Sequence, residues 1–309
     1  MTIPIILAVI ASAFYAMASH IDKYLISKAV KNADYKSLTI ISTLVAGAVM
    51  TIIYMFVCRF QLFFDLPSIL LLLLNSILYT FALIFWFKAL NRDDTTIIII
   101  MFQLIPVFSL FLSPIILDNQ LISPIQLIGG IIVTIAAIAI TYEDKERKFD
   151  KARLITLALM AFVSFAYAIW FIIIRYINQN HDFNQTILWS NITRLVVGLL
   201  FIVFFKTYRN SFQKILKNNG AKIIGLNLVN EMLTSFGDVL SAFAGTMASV
   251  AIVAFTTQGV EPFIVMLLGI AITRLFPKIE KENISKREVF RRTSIIIICI
   301  IGLACIEFG

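Results

Sequence analysis

The sequence predicts an all-α membrane protein of ten transmembrane helices arranged as two inverted five-helix repeats. Three observations carry that reading. Of its 309 residues 60% are apolar and only 14% charged, with a mean hydropathy of +0.93, whereas soluble domains carry about 25% charged residues. That leaves too little polar surface to clothe a water-soluble globule. The apolar residues fall into ten runs of the length needed to cross ~30 Å of hydrocarbon. Finally, 23 of the 26 Lys and Arg lie in or beside alternate connections between those runs.

The runs cover residues 3–20, 38–58, 67–88, 95–116, 122–141, 153–176, 186–205, 221–243, 247–272 and 293–308. The first is followed by Ser19, His20, Asp22 and Lys23 and lacks a positive leader and a small-residue cleavage site, so it reads as a retained helix. Runs such as 70–74 and 97–100 do not alternate, which argues against a β-barrel. The basic connections follow the first, third, fifth, seventh and ninth runs, and only Arg59, Arg175 and Arg194 lie elsewhere. The positive-inside rule puts those connections in the cytoplasm and both termini outside. The net charge of +8 and pI near 9.4 therefore describe loops at a membrane surface and no nucleic-acid partner. Cys58, Cys299 and Cys305 form no CxxC and no metal-ligand spacing with His20 or His181, so neither a disulfide framework nor a metal site is expected.

The charged stretch 143–151 is the one strong break in composition, and it divides the chain into a five-helix repeat (1–142), a charged cytoplasmic linker (143–152) and a second five-helix repeat (153–309). At an offset of 152, Tyr15-Ala16 and Lys23-Tyr24 match Tyr167-Ala168 and Arg175-Tyr176, and Asn75 matches Asn227; further on, Gln103 and Pro106 correspond to Gln258 and Pro262. An odd number of spans per half inverts the second copy. Inverted repeats place a binding site near the bilayer midplane, between halves that rock.

Within this frame, residues 81–140 resemble the EamA-type repeat of the drug/metabolite transporter superfamily. The resemblance rests on Ala89-Leu90 closing the third span, Pro106-Val107-Phe108 in the fourth and Gly129 opening the fifth, with a fainter second copy from Gly245 to Pro262-Phe263 and Gly302. A Trp-Gly usual in the first span is replaced by Phe14-Tyr15-Ala16, and a Gly-Glu before the fifth by Asp118-Asn119-Gln120. The resemblance implies an exporter or exchanger of small metabolites, amino acids, sugars or drugs. It also implies that spans 1–4 and 6–9 line a central cavity while 5 and 10 stay peripheral.

Ionisable groups at mid-membrane depth cost about 2.5–3.5 kcal/mol each, so Arg194, Glu231, Asp238 and Glu261 single themselves out as a substrate or proton path. Asn227, Glu231, Thr234, Asp238 and Ser241 follow helical steps of one face; the same steps from Asn75 give Tyr79, Ala82, Trp86 and Ala89. One stripe is acidic and the other aromatic, with the alanines leaving room or permitting close helix approach. Arg194 reads either as part of that path or as a structural partner that neutralises Glu231 or Glu261; it cannot neutralise three acids, so the surplus is expected to be protonated, cation-bound or solvated. Pro106 and Pro262 are expected inside their helices, freeing carbonyls beside Gln103 and Gln258. Trp170 and Trp189 read equally as cavity aromatics or interfacial anchors, Lys88 and Arg175 as snorkelling ends, and Asp22-Lys23 as an interfacial pair.

No GxxxxGK[ST], HExxH or GxSxG occurs, which excludes ATP-driven pumping by this chain and several hydrolase chemistries. The expected function is secondary active transport, not enzymatic and without cofactor, of a small molecule across a bacterial cell membrane, coupled to H⁺, Na⁺ or exchange. The expected partners are membrane lipids and the substrate. The competing reading is a membrane-embedded enzyme acting on lipid or isoprenoid substrates.

Overall fold

The computed structural model describes residues 2–30, 34–62, 64–116, 122–143, 148–149, 151–217, 220–247 and 250–309. In chain order the helices are α1 (Thr2–Tyr24), continued by a π-helical turn (Leu25–Ala29), α2 (Tyr35–Val57), α3 (Leu66–Leu90), α4 (Thr95–Phe102), α5 (Ile105–Ile116) and α6 (Pro124–Ala139). After the linker follow α7 (Lys151–Asn178), α8 (Phe183–Phe204), α9 (Lys206–Lys217), α10 (Gly220–Met247), α11 (Val250–Leu275) and α12 (Lys286–Phe308). Among the described residues, eight helical stretches are long and apolar enough to cross a bilayer, and α6 is a shorter apolar helix. Helix α10 has the length to cross, at 28 residues, but carries Lys222, Glu231 and Asp238.

Local chemistry sets the helix ends. Asp65 caps α3 by accepting from the Ser68 N–H, and Ser123 opens α6 with a capping box to Gln126 and Pro124 in the first turn. The fourth apolar run departs from its expected form, because it is two helices. Pro106 lacks an N–H and its ring would collide with the Phe102 carbonyl in a continuous helix, so the chain turns through Gln103–Leu104 and restarts. Pro106 thus sits in the first turn of α5, where no N–H is missed, and not inside a helix as the sequence suggested; the Ser164 hydroxyl takes the Phe102 carbonyl at 3.4 Å. Pro262 does lie inside its helix, α11. Helix α9, amphipathic and basic, was not expected in the seventh connection. In the linker, Tyr142–Glu143 pairs antiparallel with Lys148–Phe149; Asp118, Asn119 and Gln120 lie outside the described residues.

Helix α1 packs on α10 and α11, α2 on α8, α3 on α7 and α8, and α6 on α12. The last pair touches backbone to backbone: a Cβ on Gly129 would lie 2.5 Å from the Gly302 carbonyl oxygen, and one on Gly302 2.9 Å from that of Gly129. The apolar core runs through α1–α4, α7, α11 and α12, with Phe87, Leu90 and Ile97–Ile100 fully enclosed.

Candidate functional site

Both stripes read from the sequence lie inside the bundle: on α10 Asn227 and Glu231 are buried and Asp238 half-buried toward α1 and α2, and the α3 stripe meets α1, α4, α7 and α8. On α10, Asn227 Nδ2 donates to Ser42 Oγ of α2 at 2.7 Å, and Ser42 stands beside Glu231. Two turns beyond Glu231, Asp238 Oδ1 accepts from the Tyr15 hydroxyl of α1 at 2.8 Å. This bond needs Gly237, where any Cβ would stand 2.7 Å from the Tyr15 ring.

On α3, Asn75, Tyr79, Ala82, Trp86 and Ala89 are all buried. Ala82 and Ala89 are fully enclosed by neighbouring side chains, so they serve close packing and leave no room beside the aromatics. Tyr79 meets Tyr167 of α7 with ring centroids 5.5 Å apart and hydroxyls 3.4 Å apart, and Trp86 packs on Phe102 at 5.4 Å.

Arg194 of α8 does not take the structural alternative of neutralising an acid. Among the described residues no carboxylate oxygen lies within ion-pair distance of it; its guanidinium lies over the Tyr79 ring, 4.2 Å from the centroid. Tyrosine presents a negative π face on α3 there, and α10 holds Glu231 and Asp238 at longer range. Glu261 of α11 is buried without a hydrogen-bond partner among the described residues and lies toward Tyr15. Gln103 marks the α4–α5 break and Gln258 the turn before Pro262; both amide oxygens are buried without a donor, as are those of Asn75, Asn227 and Asn230.

Asp22 is the member that sequence reasoning missed. It is buried, not interfacial, and unpaired with Lys23: Oδ2 accepts from Trp86 Nε1 and Oδ1 from Asn230 Nδ2, both at 2.8 Å. A signal existed, since Asp22 continues the α1 face of Tyr15 by seven residues, but the neighbouring Lys23 masked it. Lys23 instead donates to the carbonyls of Leu90 and Asp93, capping α3. Asp22 therefore ties the aromatic stripe to the acidic one.

Trp170 and Trp189 pack with Leu72 and Ile173 away from the acids. Lys88 stands over the Tyr35 ring at 4.6 Å, and Arg175 is exposed. His20, for which no ligand cluster was expected, meets Glu280 and Glu282, with ligand atoms of all three within 4.8 Å of one another. Every carboxylate oxygen in that group already accepts a hydrogen bond. Burial pushes the Glu282 carboxyl up while the Arg292 guanidinium beside it pulls the other way.

Taken together, the site is a row of four carboxylates, three of them with neutral donors as partners, bordered by aromatics. The sequence model of the EamA-like transporter family matches residues 2–142. Residues 2–142 form an EamA-type domain. No curated protein matches the chain. One solved structure, described only as a crystal structure of a protein, aligns with 98% of this chain and 95% of its own at a TM-score of 0.55 and 12% identity, a likeness of fold alone. The EamA domain supplies Asp22, Ser42, Tyr79 and Trp86 to the site, while Arg194, Asn230, Glu231, Asp238 and Glu261 come from the half beyond the match. Eight described helices are long and apolar enough to cross a bilayer, so the chain is a multi-pass membrane protein whose residues 2–142 are similar to the EamA-like transporter family.

Proposed function

We propose that the protein is a secondary transporter, an exporter or exchanger of a small metabolite, amino acid or drug, working by alternating access between two inverted halves. The observation that carries this reading is the row Asp22, Glu231, Asp238 and Glu261: three buried carboxylates and one half-buried, none with a cationic side chain in ion-pair distance among the described residues. Charges left unpaired at that depth are retained for binding protons or cationic groups.

Packing favours two equivalent halves. Exchanging the five spans of one half for those of the other turns the α1–α10 contact into α7–α3, α1–α11 into α7–α5 and α2–α10 into α8–α3, and returns α2–α8 and α6–α12 to themselves; every one of these contacts is present. Pairings of this kind let one half rock on the other with the acids at the fulcrum.

On the charge-based topology α10 runs outward, so Glu231 lies near the midplane and Asp238 on the outer side about 10.5 Å along the helix. Glu231 is the coupling carboxylate and Asp238, through Tyr15, the outer relay. The test is flux in liposomes containing this protein alone under an imposed pH gradient. Glu231→Gln should fold and bind substrate but lose the dependence on the gradient; wild-type pH coupling in that variant would return Glu231 to a structural role.

A further inference from the structure

The connection between α11 and α12, residues 276–285, is exposed over most of its length but turns inward at two points. It dips between the helix ends and buries two acids, Glu280 at 3% and Glu282 at 4% exposure, while Lys278 and Lys281 beside them stay exposed. Glu282 caps a helix that belongs to another segment: its carboxylate accepts from the Thr96 N–H at 3.0 Å and the Thr96 hydroxyl at 2.7 Å in the first turn of α4, where Asp94 makes no side-chain cap. Arg292 of α12 holds it from behind at 2.7 Å, and Gly269 of α11 gives it space, since a Cβ there would meet the carboxyl carbon at 2.9 Å.

Glu280 reaches α1. Its Oε1 accepts from the Thr95 hydroxyl at 2.5 Å, and its Oε2 lies 2.6 Å from His20 Nδ1. The other ring nitrogen, Nε2, lies 2.9 Å from the Val265 carbonyl oxygen, which can only accept. Nε2 must therefore carry a hydrogen. A neutral imidazole would then turn the lone pair of Nδ1 toward a carboxylate lone pair, so the 2.6 Å contact requires one additional proton between Nδ1 and Oε2. The charges around it are Glu282 on the connection, Lys23 on α1, Arg292 on α12 and Asp93 and Asp94 in the α3–α4 turn; α11 faces the ring with the Val265 carbonyl and α4 with Thr95, both uncharged.

We propose that His20 and Glu280 form a proton-binding latch, in which one shared proton holds the 276–285 connection across the basic end of the bundle and its loss frees the connection and opens that end. The sign follows from the geometry. The seat is complete while the proton is bound and weakens as pH rises, because two acceptors are then pressed together beside Glu282. On the charge-based topology this is the cytoplasmic end, so the latch reports cytoplasmic pH and is separate from the carboxylates of the transport row. Its use in transport rests on the alternating-access reading; the latch itself does not.

Trypsin reads the connection directly, because cutting after Lys281 requires the chain to leave its seat. In the purified full-length protein, nicking at Lys281, normalised to a soluble trypsin substrate at each pH, should accelerate about tenfold or more between about pH 6.5 and about pH 9. Glu280→Gln mimics the protonated pair, with its amide N–H donating to Nδ1 and its carbonyl accepting from Thr95, and should be nicked slowly across the whole range. His20→Ala leaves Glu280 buried without its partner and should be nicked fast even at the acid end. A wild-type rate that does not change with pH, or a Glu280→Gln variant with the wild-type profile, would overturn the latch. Proton-dependent nicking in a protein that shows no flux would leave the latch standing and sink the transporter reading alone.

Discussion

The basic end of the bundle and its middle hold the same kinds of side chain in opposite states. At the end, Arg292 bonds Glu282 at 2.7 Å, Glu288 at 3.1 Å and also Asp94, Arg153 lies 3.3 Å from Asp93, and Arg291 holds Glu288 and the Tyr142 carbonyl. Three connections meet there through charges. In the middle, Asp22, Glu231 and Glu261 are buried and Asp238 half-buried, yet Asp22, Glu231 and Asp238 are partnered by a tryptophan, an asparagine, a serine and a tyrosine, Glu261 by no described residue, and Arg194 lies over a ring. Breaking a buried pair by removing one partner is strongly destabilising, while neutralising a lone buried charge relieves a desolvation cost. The end is thus built for closure and the middle for exchange of charge.

The largest effect should come from breaking the end. Arg292→Met leaves Glu282, Glu288 and Asp94 without their shared cation and should cost about 3–5 kcal/mol, seen as a collapse of membrane abundance and of the thermal transition in detergent. Survival at wild-type stability would show that the cluster is ornamental and that the contrast between the regions is false.

Next in size, and opposite in kind, are the acids of the middle. Asp22→Asn keeps an acceptor for Trp86 and turns an amide N–H toward Asn230, whose unpartnered Oδ1 can accept it once that side chain flips, so it should fold within about 1 kcal/mol of wild type, yet it removes one of the charges facing Glu231. Gradient-driven flux should fall about tenfold or more. A loss of abundance matching the loss of flux would assign Asp22 to the scaffold.

The two prolines sharpen the contrast between halves. They match in sequence but not in structure, since Pro106 starts α5 after a break and Pro262 interrupts the hydrogen bonding of α11. Pro262→Ala restores a bond to the Gln258 carbonyl and should raise thermal stability while slowing flux several-fold. Pro106→Ala should change both less, because the Phe102 carbonyl already has Ser164. Equal effects from the two would argue that both act as the same hinge.

What the sequence made legible followed from periodicity and composition: a membrane bundle of long apolar helices, eight of them among the described residues able to cross a bilayer where ten were expected, and the stripes on α3 and α10. What escaped it depended on partners far along the chain. Asp22 looked interfacial beside Lys23 because nothing local says that Lys23 turns to the end of α3 while Asp22 turns to Trp86 and Asn230. His20 looked isolated because Glu280 lies 260 residues away, in a connection whose acids seemed to be ordinary loop charges. The break at Gln103 was hidden inside an unbroken apolar run, where hydropathy cannot tell one helix from two.

The smallest effect tests the one cation of the middle. Arg194 lies over Tyr79, and Tyr79 in turn places its hydroxyl 3.4 Å from that of Tyr167. Tyr79→Phe keeps a π face of nearly equal strength under the guanidinium and removes only the long contact to Tyr167. Flux and stability should therefore stay within about twofold and about 1 kcal/mol of wild type. Tyr79→Leu, which removes the π face and keeps the apolar bulk, should cost more, because the guanidinium is then left in a buried setting without its contact and must turn toward Glu231 or Asp238. If that turn forms an ion pair, the acid it meets is withdrawn from proton exchange, and the external pH at which flux is half-maximal should move to lower values as that carboxylate becomes harder to protonate. An unchanged pH profile in Tyr79→Leu would mean that Arg194 is held by its helix and not by the ring, and that the middle stays free of ion pairs for steric reasons instead of through this contact.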